Sequence, residues 1–235
     1  MDFQTIVHDG FFRSPDKVRE WALTLDYSHP DGTFPGVRTR CTKFIHKKFY
    51  ESTCSKLMSL WGNYDIKDCN LQLHFQKIKR FNADPDMNVG WIHQDIGAKA
   101  AAVIYLDPNA ELNQGTSHYR VRSNIAEIDA VEFPKNAKGE DQRWIYKKVL
   151  GEEQSRDPED LRLYYQNMRT HNDMFETILD VKNVYNRVIG YAGDQWHGQT
   201  SFYMDNDDDF RLTIVAFVIS AKSATRRFEL KSRYI

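Results

Sequence analysis

Near the end of the chain, the ten residues Phe210-Arg211-Leu212-Thr213-Ile214-Val215-Ala216-Phe217-Val218-Ile219 are apolar on both faces of an extended strand, apart from Arg211 and Thr213. Such a strand cannot leave one face in water, so it is expected to be central in a sheet or to line a closed barrel. Arg211 and Thr213 are two residues apart and share a face. A guanidinium in so apolar a strand is costly to bury alone, and its planar fork suits a carboxylate gripped at two points. The acidic loop just before it, Asp205-Asn206-Asp207-Asp208-Asp209, offers a competing internal partner. That loop lacks the glycine and terminal glutamate of a calcium-binding EF-hand and reads as a solvated turn.

A second pattern lies upstream. His93 and Asp95 flank Gln94, and on an extended segment residues two apart point the same way, so both can grip one ion. A third ligand must come from another strand. His197 fits, because it follows the strand-like run Asn186 to Gly193 and a Gly193-Asp194 turn. Two imidazoles and one carboxylate are the donors that hold iron(II) on one face and leave the opposite positions open. Surface histidines are common, so the competing reading of His93 is an ordinary exposed residue.

His93-x-Asp95, the distal His197 and Arg211-x-Thr213 resemble, in order and spacing, the 2-oxoglutarate- and iron(II)-dependent dioxygenases. Within them, Phe34-Pro35-Gly36-Val37-Arg38 and Gly115-Thr116-Ser117-His118-Tyr119-Arg120 look like a prolyl-hydroxylase-related microbial and phage branch whose substrates are mostly unassigned. The resemblance spans roughly residues 70 to 220 and implies a mainly β fold with flanking helices (α+β), built on a double-stranded β-helix, or jelly roll. It implies that His93, Asp95 and His197 bind iron(II), and that Arg211 and Thr213 hold the distal carboxylate of 2-oxoglutarate. Tyr105 stands where the family often has a polar residue touching the co-substrate. Oxygen would be the second co-substrate, with succinate and carbon dioxide released as a small molecule or protein side chain is hydroxylated. Trp91 shares the face of His93 under strand alternation and is expected either to line the substrate pocket or to be core.

Two other readings use the same residues: a cupin-like metal site without a keto acid, and a binding module without turnover. The Arg-x-Thr pair weighs against the first and the complete ligand set against the second.

Composition narrows the rest. The 235 residues suit one domain, and 41% hydrophobic with 13% aromatic residues supply a core. A net charge of -1 gives no field for polyanions, so nucleic acid is not the expected partner. No apolar stretch is long enough to cross a membrane, and Met1 to Thr5 lacks a signal-peptide pattern. Cys41, Cys54 and Cys69 make neither an even disulfide framework nor a CxxC pair, which fits a reducing cytoplasm.

Along the chain, Thr5 to Phe12 reads as a strand, Ser14 to Leu23 as a helix with Pro15 in its first turn, and Tyr50 to Trp61 as a helix stopped by Gly62. Strands are expected from Cys69 onward, including Leu71 to Phe75, where His74 faces away from the apolar set and needs no metal. The β pattern breaks between about Ser123 and Lys182. This polar stretch reads as a helical insertion in a single domain covering 1–235, with a helix from Asp157 through Phe175, and is expected either to cover the site mouth or to be an ordinary insertion packed on the outer face of the sheet or at an oligomer contact.

Overall fold

The computed structural model describes residues 3–28, 34–62, 64–125, 143–150, 155–206 and 209–223. Among these, ten strands and four α-helices form two antiparallel sheets with helices packed outside them. The larger sheet has seven strands in the order β1 (Ile6–His8), β8 (Val188–Ala192), β5 (Ala100–Tyr105), β10 (Arg211–Ser223), β4 (Tyr64–Ile78), β3 (Val37–Thr39) and β2 (Tyr27–Ser28). The smaller has three, in the order β7 (Phe175–Val181), β6 (Thr116–Val121) and β9 (His197–Gln199).

The doubly apolar strand is central, as its pattern requires. β10 pairs with β4 on one side and β5 on the other, with Thr213 opposite both Gln76 and Tyr105. Its even-numbered residues Leu212, Ile214, Ala216 and Val218 enter the main core. There they meet Leu71, Leu73 and Phe75 of β4, Ala100, Ala102 and Ile104 of β5, and helices α1 (Pro15–Leu23) and α2 (Lys47–Trp61) through Ala22, Tyr50, Cys54, Leu57 and Met58. Each large side chain buried in this layer contributes about 1.5–3 kcal/mol. The odd-numbered face of β10 carries Arg211, Thr213, Val215 and Phe217 toward the smaller sheet.

Helix α2 starts three residues before the sequence expectation, because the His46 ring caps it by accepting the Phe49 amide at 3.2 Å. Ser14 precedes α1 but makes no side-chain cap; Pro15 opens that helix. The stretch 123–182 is helical only in part. α3 (Arg143–Leu150) and α4 (Pro158–Asn172) are helices, with Asp157 capping α4 through the amides of Glu159 and Asp160. Phe175, expected at the end of a helix, instead begins β7 and pairs with Val121. The rest of the stretch, 126–142 and 151–154, lies outside the described residues. α3 and α4 build a second core from Ile145, Tyr146, Val149, Leu161, Tyr164 and Met168, closed by Ile78, Phe81 and Phe202. Among the described residues, no helix is long and apolar enough to cross a membrane. Cys41, Cys54 and Cys69 are unbridged.

Candidate metal centre

His93, Asp95 and His197 converge between the two sheets. Each offers one ligand atom, and these atoms lie within 4.8 Å of one another. His197 Nε2 is 3.4 Å from Asp95 Oδ2, His93 Nε2 is 3.8 Å from Asp95 Oδ1, and the two ring centroids are 4.3 Å apart.

Backbone pairing brings these distant segments together. His93 and His197 form an antiparallel bridge, each amide donating to the other's carbonyl at 2.9 Å. The Asp95 amide donates to Gly193 O at 2.8 Å, fastening the second ligand to the turn before the third. A Cβ at Gly193 would lie 2.0 Å from Ala98 O, so this close approach requires glycine.

The two imidazoles are oriented alike. His93 Nδ1 lies 2.7 Å from Trp91 O, and His197 Nδ1 2.8 Å from Gln195 O. A carbonyl can only accept, so each Nδ1 carries the proton and each Nε2 presents its lone pair to the centre. Burial, reinforced by neighbouring His93, pushes the His197 imidazole down to about 4, keeping it neutral at physiological pH. Asp95 Oδ2 is buried without a hydrogen-bond partner. A buried carboxylate oxygen facing two aimed imidazole nitrogens is a donor set suited to a divalent transition metal.

The cavity beside the triad has a volume of about 50 Å³. Its walls include Ala101, Val103, Tyr191, Val215 and Phe217 from the larger sheet and Thr116, His197 and Gly198 from the smaller. Arg211 also lines it and is 1% exposed. Its Nε donates to Gln114 O at 3.0 Å, and its guanidinium carbon lies 5.4 Å from the centre of the Tyr105 ring. One terminal nitrogen has no partner. Among the described residues no carboxylate comes within ion-pair distance, so Arg211 is not engaged by the described part of the acidic loop. Asp207 and Asp208 of that loop lie outside the description. Desolvation lowers the Arg211 pKa.

The sequence-predicted residues divide here. Thr213 is completely buried opposite Tyr105, with its hydroxyl unpartnered. The Tyr105 hydroxyl donates to Thr116 Oγ1 at 2.9 Å, which leaves it able to accept, and its ring lies beside the Arg211 guanidinium. Trp91 does not line the cavity. Its ring packs edge-on to Tyr146 at 4.1 Å and stacks on His171 at 4.7 Å, so of the two expectations for Trp91 it is the core role that the structure shows, against α3 and α4. Strand alternation fails for Trp91 because residues 89–92 are not in a regular strand. His74, as expected, is satisfied away from the triad, its Nδ1 lying 2.9 Å from Thr39 O. His118 is buried beside His197, edge-on to Tyr191 at 5.0 Å.

α3 and α4 supply no wall of this cavity. They stand behind it: Asn172 accepts the Ile92 amide at 3.0 Å and donates to Gly90 O at 3.0 Å, while His171 Nε2 meets Ile92 O at 2.7 Å. The described part of this stretch is thus a buttress for the ligand-bearing segment, not a cover over it.

One site residue was not singled out in the sequence. Arg38 of β3 pairs with Gln76 of β4 and enters the cavity, its guanidinium carbon 3.7 Å from the Phe34 ring centre and 5.4 Å from that of Phe217. Desolvation pushes its pKa down to about 10 against the pull of Asp95 and Tyr191.

Residues 3–218 match DUF6445, described as a family of unknown function. No curated protein matches the chain. Solved structures do. HygX from Streptomyces hygroscopicus with nickel and 2-oxoglutarate bound is 12% identical over 92% of this chain and 83% of its own, with a TM-score of 0.50. A Trichoplax adhaerens prolyl hydroxylase in complex with a hypoxia inducible factor peptide is 10% identical over the same shares, with a TM-score of 0.50. EvdO2 from Micromonospora carbonacea is 8% identical over 95% and 89%, with a TM-score of 0.51. Likeness at these identities is likeness of fold: the chain folds as 2-oxoglutarate- and iron(II)-dependent oxygenases do.

Proposed function

The chain belongs to DUF6445, and we propose that it is an iron(II)- and 2-oxoglutarate-dependent oxygenase acting on a small molecule or a protein side chain. The observation that carries this reading is the meeting of His93, Asp95 and His197 in a cavity whose wall also holds a buried Arg211 that, among the described residues, has no carboxylate partner. The two sheets facing one another across the site support a double-stranded β-helix core, with the described helices belonging to the same single domain.

Each residue has a part in this reading. His93, Asp95 and His197 hold iron(II), and the carbonyls of Trp91 and Gln195 fix the imidazole tautomers. Arg211, aimed by its bond to Gln114 O, offers its free terminal nitrogen to the distal carboxylate of 2-oxoglutarate, with the unpartnered Thr213 hydroxyl beside it. The apolar side chains of Val103, Val215 and Phe217 line the cavity beside the reacting centre. With iron(II), 2-oxoglutarate and oxygen bound, such a site couples decarboxylation of the keto acid to succinate with oxidation of a C–H bond. A metal site of cupin type, without a keto acid, would leave the cost of burying Arg211 unanswered.

Anaerobic titration with iron(II) and then 2-oxoglutarate tests this. The expected result is the visible charge-transfer band of a chelated keto acid, lost in Asp95→Ala. Iron binding without that band, at saturating 2-oxoglutarate, would overturn the keto-acid reading.

A further inference from the structure

The cavity holds two guanidinium groups at different levels, and the keto-acid reading uses only one. Arg211 lies over Tyr105, which is level with Thr213 on β10. Arg38, whose backbone is level with Gln76 and so with Thr213, carries its guanidinium to within 5.4 Å of the ring centre of Phe217, four residues further along the same strand. The metal ligands are at the Phe217 end: Phe217 is level with Ala101 and Tyr191, and the Tyr191 ring is 4.4 Å from that of His197. Arg211 therefore marks the end of the cavity away from the metal, and Arg38 the end beside it.

Arg38 is held in place yet left unsatisfied. Gly36 lets β3 approach β4 closely, since a Cβ there would lie 2.0 Å from Lys77 O, and its φ is +76°. Gln76 is itself fixed by donating to Pro35 O at 2.8 Å, and it accepts a long 3.4 Å bond from one Arg38 terminal nitrogen. Arg38 Nε is buried without a partner, and among the described residues no carboxylate lies within ion-pair distance. Phe34 covers a face of the guanidinium, so a ligand must approach its edge, in the plane of the fork.

We propose that Arg38, with Gln76 beside it, is a specificity-determining anion site that receives a carboxylate of the prime substrate next to the metal centre. A planar carboxylate can meet a guanidinium edge with two parallel hydrogen bonds. One cation beside a neutral amide suits a monoanion better than a doubly charged phosphate. The anion site stands on the geometry of Arg38; that its occupant is the prime substrate rests on the oxygenase reading.

The test uses the full chain saturated with zinc(II) and 2-oxoglutarate, which fills the Arg211 end without turnover. Propionate and benzoate, their neutral amides, and inorganic phosphate are titrated while the arginine Nε–H resonances are followed by NMR, with Arg38→Lys identifying the Arg38 signal. Both carboxylates should move the Arg38 signal, and the amides should not. Arg38→Gln should weaken carboxylate binding at least tenfold while changing 2-oxoglutarate affinity less than twofold, and Arg38→Lys should fall between, keeping the charge without the fork. Equal binding of amides, movement of Arg211 alone, tighter binding of phosphate, or a tenfold loss of 2-oxoglutarate affinity in Arg38→Gln would each overturn the assignment. If the wild-type protein does not bind 2-oxoglutarate, the oxygenase reading fails. The Arg38 criteria then apply to the keto-acid-free protein, where an unmoved Arg38 signal would end this proposal too.

Discussion

Replacing Arg211 with methionine should make the metal-free protein more stable while removing its grip on 2-oxoglutarate. In the wild-type protein the guanidinium is 1% exposed, one terminal nitrogen has no partner, and among the described residues no carboxylate balances the charge. Methionine forfeits one neutral-acceptor hydrogen bond and the contact with the Tyr105 ring, together about 1–3 kcal/mol. It does not orphan Gln114 O, which also accepts Asn183 Nδ2 at 3.2 Å. Against this stands the penalty of several kcal/mol for holding an uncompensated ion in the interior. The balance favours the variant by about 1–2 kcal/mol, which at about 2–4 °C per kcal/mol for a domain of this size raises Tm by about 2–8 °C. The charge-assisted contact to a keto acid is worth about 1.5–3 kcal/mol or more, so 2-oxoglutarate affinity should fall at least tenfold. Calorimetry on the metal-free proteins and keto-acid titration of the zinc forms read the two quantities separately. A lower Tm with unchanged 2-oxoglutarate affinity would show that Arg211 is a structural residue and would refute this reasoning.

Other outcomes follow from the same geometry. Asp95→Asn should weaken iron(II) or zinc(II) binding at least a hundredfold while circular dichroism stays as in the wild type; retained affinity would remove Asp95 from the ligand set. Gly193→Ala places a methyl group 2.0 Å from Ala98 O, and denaturant unfolding should show a loss of about 2 kcal/mol or more. Asn172→Ala breaks both bonds to the segment before His93, so metal affinity should drop several-fold although residue 172 touches no ligand atom. The His171 pKa is pushed by burial down to about 4, below the ordinary 6.5, so its neutral form stabilises the fold above pH 6.5 and this contribution is lost as pH falls from 6.5 toward 4. Over that window His171→Phe should flatten the stability-versus-pH slope by up to about 1.4 kcal/mol per pH unit, and an unchanged slope would contradict a neutral buried imidazole.

The parts legible in the sequence were those written in local spacing. A ten-residue run apolar on both faces apart from Arg211 and Thr213 belongs in the middle of a sheet or in a barrel wall, and β10 is central in its sheet; His93 and Asp95 needed only a shared direction, and they share one. Arg38 lies within a recognisable segment but its role is not legible there, because its importance arises from pairing with Gln76, 38 residues later, and spacing within β3 does not encode that partner. Strand alternation does not decide between pocket and core for Trp91, because residues 89–92 are not in a regular strand. The strand that Phe175 opens is not legible because its middle residues, Glu176 to Asp180, are partly or wholly exposed and give no alternating apolar pattern. The His46 cap is not legible in the sequence because histidine is not among the preferred capping residues.

The position of α4 bears on how this protein can be rebuilt. The main chain that delivers His93 and Asp95 is anchored from behind by His171 and Asn172, at the far end of a helix that opens at Pro158. A chimaera made by exchanging residues 88–95 alone would set new ligands against an unmatched brace, and one made by exchanging the helix alone would reposition old ligands. The two segments form a single unit of inheritance despite the gap between them. Transplanting the site, or shuffling it between relatives, should succeed only when both travel together.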